Sequence, residues 1–133
     1  MKAIYRKAGI ISIMIVAFAL FFAGGGDICK DINQIISSGN AQQLSKYLNS
    51  TVEMSILGNE GYFSKAQASA ILEDFFSKNK PTSFVPKQGG SDSENTKFST
   101  GTYTSAHGTY KIYYVVKTVQ NTALIHKITI EKK

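Results

Sequence analysis

One histidine in this chain stands where an ionisable side chain could do chemistry. Leu124, His126, Ile128 and Ile130 alternate, so on a strand they share one face and carry an imidazole toward the core. Tyr110, Ile112, Tyr114 and Val116 alternate in the same way in the preceding run. Facing inward, Tyr110 and Tyr114 would set hydroxyls on apolar bodies beside His126, and these three residues form the candidate ligand-binding set. The competing reading is a core or edge histidine bonded to a tyrosine across the sheet. In the catalytic alternative His126 is the base of a small isomerase, dehydratase or hydrolase, but no acid is placed to orient it.

The carboxylates do not offer a second base. Glu53 alternates with Val52 and Met54, Glu131 falls opposite Ile128 and Ile130, and Glu60, Asp92 and Glu94 sit among turn residues. Glu73 and Asp74 lie on the polar side of a helical pattern, Asp27 is a helix cap, and Asp31 flanks an apolar stripe. His107 stands in a turn beside Gly108, and Cys29 with two distant histidines makes no zinc pattern. No serine or threonine occupies a nucleophile elbow. The reading is therefore a non-enzymatic module with no catalytic residue, metal or cofactor assigned.

What precedes these residues sets the expected address. Lys2, Arg6 and Lys7 lead into an apolar run over 8–23, closed by Gly24, Gly25 and Gly26. These are the parts of a secretory signal peptide, so residues 1–26 are expected to be removed and 27–133 to work in the periplasm or outside the cell. The run is shorter than the roughly 20 apolar residues of a membrane span, so no permanent anchor is expected. Ile28 before Cys29 argues against lipoprotein processing. Without the leader the charge falls from +6 to +3, with twelve lysines and no arginine. Those lysines are scattered along the chain and read as solvated surface, which disfavours nucleic acid as a partner. A lone cysteine excludes an internal disulfide.

The elements that must position the candidates follow from periodicity. Ile28, Ile32, Ile35 and Ile36 form a helical stripe after Asp27, stopped by Ser37-Ser38-Gly39-Asn40. A second helix is expected from Ala41 to about Leu48, then a strand over 51–56 and a brief one at Tyr62-Phe63. Ser64 and Gln67 make a capping box that opens a third helix, with Ala68, Ile71, Leu72, Phe75 and Phe76 inward and Pro81 beyond its end. Strands follow at 82–87, 97–105, 109–119 and 123–132, with 88–95 expected as a polar, disordered loop. Tyr113 and Val115 fall on the outer sheet face, where they suit a homodimer contact.

This order of elements resembles the nuclear-transport-factor-2-like, or cystatin-like, α+β cone: three N-terminal helices on a curved, mainly antiparallel sheet. More closely, the chain resembles a family of exported bacterial proteins catalogued as domain of unknown function 4783. The resemblance runs through Asp27-Ile28, Ser38-Gly39-Asn40-Ala41, Tyr62 to Ala68, Ile71 to Phe76, Asn79-Lys80-Pro81, Phe84, and Gly101 to Tyr113. It implies one domain over 27–133 and a hollow between sheet and helices that holds a small apolar ligand. The family pattern also has a histidine before the glycine that follows the Phe84 strand. Gln88 stands there in this chain, so a role tied to that histidine does not carry over.

Overall fold

A computed structural model describes residues 27–133, and the expected signal peptide lies outside them. The elements run α1 (Ile28–Ser38), α2 (Ala41–Ser45), β1 (Leu48–Ile56), β2 (Asn59–Ser64), α3 (Lys65–Lys78), β3 (Pro81–Ser93), β4 (Thr96–Ser105), β5 (Gly108–Val119) and β6 (Thr122–Lys132). The fold is α+β, with few helices on a curved six-stranded sheet of order β2-β1-β6-β5-β4-β3. Every neighbouring pair is antiparallel except β1 with β6.

Local chemistry sets the helix ends. The Asp27 carboxylate accepts from the Lys30 N–H at 3.1 Å, satisfying one orphan donor of α1. Gly39, at φ 69°, takes the left-handed turn that ends α1, and its N–H bonds to the Ile36 carbonyl at 3.0 Å. At α3 the capping box is complete: Gln67 N–H donates to Ser64 Oγ at 3.2 Å, and Ser64 N–H donates to Gln67 Oε1 at 3.0 Å. Ala68, Leu72, Phe75 and Phe76 of α3 are buried, and Ile71 packs at the edge of the core.

Three expectations change. The helices are not all N-terminal, since α3 follows β1 and β2, and α2 has only five residues. Leu48, expected at the end of α2, instead starts β1 because it pairs with Ile125 of β6. Of the stretch over 88–95, only Glu94 and Asn95 form a turn. β3 continues to Ser93 against β4, from Gln88 opposite Thr100 to Ser93 opposite Thr96. Backbone hydrogen bonds to a neighbouring strand do not need apolar side chains, so polarity alone misjudged this segment.

A further change concerns His126. In β5 against β6, Val115 pairs with Lys127 while Val116 pairs with Ile125, so His126 is an unmatched residue at a bulge. That one extra residue reverses the alternation. Ile125 and Ile128 are both fully buried, and His126 is left half-buried on the outer side of the sheet. Further bulges interrupt β1–β6 and β3–β4. Such irregularities bend strands, and here the sheet curls around the helices.

Candidate functional site

The curl leaves a cleft of about 660 Å³ between α1 and the β3–β4 hairpin. One wall is the exposed side of α1, with Asp27, Cys29, Lys30, Asn33 and Gln34; the other is formed by β3 and β4, with Phe84, Pro86, Lys87, Lys97 and Ser99. Its size is in the range of small-ligand pockets. A second depression, between α2 and α3, exposes Gln42, Ser69 and Glu73 and has no sequence candidate beside it.

Glycine shapes the β4 wall. A Cβ on Gly101 would lie 2.5 Å from Phe84 Cζ and 3.0 Å from the Val85 carbonyl oxygen. Only the absence of a side chain lets the Phe84 ring lie over β4 there.

None of the three sequence candidates lines this cleft, and only Tyr114 touches its wall, from behind. Its ring is fully buried, and its hydroxyl donates to Asn33 Oδ1 at 2.8 Å and to the Cys29 carbonyl at 3.1 Å. Both acceptors belong to residues of the cleft wall, so Tyr114 ties α1 to β5 directly behind the site. Burial, followed by the adjacent Cys29 thiol, pushes the phenol far above its usual value, and it acts as a fixed donor. Burial also raises the Cys29 thiol, an effect that the Tyr114 hydrogen bond partly offsets. The thiol is half-buried and protonated at neutral pH.

Tyr110 belongs to a different network. It is buried and donates to Asn79 Oδ1 at 2.7 Å, while Asn79 Nδ2 donates to the Phe75 carbonyl at 3.1 Å. Tyr103 donates to the Asn79 carbonyl, and burial pushes its phenol well above the usual range. These bonds close the C-terminal end of α3 onto β4 and β5. His126 joins neither tyrosine. Burial, and then the Lys117 ammonium, holds its imidazole below the ordinary value. The expected trio is therefore dispersed: Tyr114 behind the cleft, Tyr110 in the core, and His126 on the outer face.

Asn33, Lys97 and Ser99 had no local signal as site residues. Asn33 falls off the isoleucine stripe of α1, and its partner Tyr114 is 81 residues away. Among the described residues, no three His, Cys, Asp or Glu side chains gather as metal ligands. No described helix is long and apolar enough to cross a membrane.

Comparison with known proteins sharpens the fold. A crystal structure of a family protein from Bacteroides uniformis is 28% identical, with TM-score 0.76, and the match covers 80% of this chain and 98% of that one. One from Bacteroides fragilis is 32% identical, with TM-score 0.74, covering 80% of this chain and all of that one. A nuclear-transport-factor-2-like protein of unknown function from Silicibacter pomeroyi, at 10% identity and TM-score 0.59, shares the fold alone. No curated protein matches the chain. Both Bacteroides structures are of the domain of unknown function DUF4783, and the model of that family matches residues 29–131 here; this chain belongs to the DUF4783 family.

Proposed function

We propose that this protein is an exported, non-enzymatic binding module of the bacterial cell envelope that holds a small ligand in the cleft between α1 and β3–β4. The observation that carries this reading is the cleft itself, about 660 Å³, backed by a buried tyrosine that locks one of its walls. A wall held by long-range hydrogen bonds is preorganised, and preorganisation lowers the cost of binding. The leader pattern over 1–26 supports export, with cleavage before the helix that forms the cleft wall.

The outer sheet face supports self-association as a second feature of the module. Tyr113 and Phe98 lie there with ring centroids 6.5 Å apart, and Val115 pairs directly with Phe98. Phe98 also borders the cleft, so a homodimer through this face would lie beside the ligand site. Sedimentation of the wild type against Tyr113→Glu tests it, a dimer that dissociates in the variant being the expected result.

The test of the cleft is a thermal-shift screen of residues 27–133 against lipids, sterols, cell-wall fragments and small acids. At least one compound is expected to stabilise the protein and to lose its effect in Gln34→Trp, which fills the cleft from an exposed helical position. Failure of every compound, or equal stabilisation of the variant, overturns the cleft as the binding site.

A further inference from the structure

Three lysines that are far apart in sequence meet at the cleft: Lys30 from α1, Lys87 from β3 and Lys97 from β4. One carboxylate faces them, Asp27, and one of its oxygens is already engaged by the Lys30 backbone N–H. Among the described residues, ion pairs join Lys78 to Asp74 and Lys127 to Glu53, and the three cleft lysines take part in neither. The cleft thus carries a net positive charge, three ammonium groups against the single Asp27 carboxylate, with none of the three lysines in an ion pair among the described residues.

The neutral groups point to the same chemistry. Asn33 Oδ1 is occupied by the Tyr114 hydroxyl, which turns the amide so that its NH₂ donors remain. Asn33 is half-buried and lines the cleft, so its amide is one of the polar groups of this wall. Lys97 and Cys29 line the same cleft from opposite walls. Beside these donors, Phe84 and Pro86 supply apolar surface.

On the reading of the cleft as a binding site, we infer that its ligand is a small amphipathic anion. Its carboxylate or phosphate head is held by Lys30, Lys97 and the Asn33 amide, and its short apolar body lies against Phe84 and Pro86. An ammonium and an amide N–H both favour an ionised oxygen, whereas a neutral apolar ligand would leave these donors desolvated and unpaired.

The test titrates residues 27–133 at pH 7 with octanoate, octyl phosphate, 1-octanol and inorganic phosphate, following amide chemical shifts. This span contains every described element, and the match to the Bacteroides fragilis crystal structure, which takes in all of that chain, covers a comparable length. Octanoate, octyl phosphate or both are expected to bind at α1 and β3–β4, with 1-octanol weaker by roughly tenfold or more, about 1.4 kcal/mol. Binding by one of the two anions alone identifies the head group. Lys97→Gln and Lys30→Gln are each expected to weaken the anion several-fold and leave 1-octanol unchanged, while Lys46→Gln, on exposed surface away from the cleft, has no effect. If 1-octanol binds as tightly as octanoate, the anion assignment falls and the cleft reading stands. If inorganic phosphate binds as tightly as the amphiphiles, the apolar contribution falls. If none binds, or if binding survives both lysine changes, the inference is overturned, and the broader screen with Gln34→Trp still decides the cleft.

Discussion

The Tyr114 hydroxyl donates to Asn33 Oδ1 at 2.8 Å, joining the middle of β5 to the middle of α1 across 81 residues of sequence. The same hydroxyl reaches the Cys29 carbonyl one helical turn earlier. One buried donor thereby fixes both the position of the helix and the rotamer of a cleft amide. Tyr114→Phe keeps the packing and removes the donor, leaving two part-buried acceptors without it. The expected cost is about 1–2 kcal/mol, read as a lower urea midpoint at unchanged slope. Freed to rotate, the Asn33 amide is also expected to bind cleft ligands more weakly.

Asn79 is the larger polar liability. Its side chain receives the Tyr110 hydroxyl and donates to the Phe75 carbonyl, all in buried surroundings. Asn79→Ala is expected to destabilise the fold by roughly 1–3 kcal/mol, because the buried Tyr110 hydroxyl loses its acceptor where water cannot replace it, while the Phe75 carbonyl keeps the backbone N–H of residue 79. Tyr110→Phe is expected to cost less. The double variant should fall short of the sum of the two, since each single change breaks the same bond; chemical denaturation of the four proteins measures that coupling.

Gly101→Ala tests the cleft wall. The added methyl would meet the Phe84 ring at 2.5 Å and a carbonyl oxygen at 3.0 Å, so the ring must move away from β4. The expected loss is about 1–3 kcal/mol in a melting experiment. Combining it with Phe84→Leu removes the ring edge and is expected to recover part of that loss. A single variant as stable as the wild type would mean that the Phe84 ring does not need to lie on Gly101.

The pH dependence follows from His126, whose imidazole is held below its ordinary value of 6.5 by burial and then by Lys117. Below that ordinary value the unfolded chain takes up a proton that the folded protein resists. Stability from this group is therefore full above the unfolded value and is lost as pH falls through it toward the folded one. Melting temperatures between pH 7.5 and 5 are expected to decline in the wild type, and His126→Gln should flatten that decline. A slope unchanged by the substitution would assign the effect to other groups.

Much of the fold was legible locally. The isoleucine stripe of α1, the capping box at Ser64 and Gln67, and the alternation of Tyr110, Ile112, Tyr114 and Val116 all report burial through short-range periodicity. Two failures share a cause. The strand over 88–93 and the bulge at His126 are properties of strand pairing, and a strand's partner is invisible in its own residues. A single unmatched residue was enough to move the imidazole from the expected core position to the outer face.

By itself, then, the sequence determined the helix stripes and caps, the inward tyrosines and the charge of the chain, because each depends on spacing within a few residues. The tertiary structure decided which groups meet. Lys30, Lys87 and Lys97 look like scattered surface charge along the chain, and they converge only because the β3–β4 hairpin curls toward α1. Asn33 gains its role only when a tyrosine from β5 arrives behind it. Curl, register and bulge position depend on contacts between distant segments, and the site is made of those contacts.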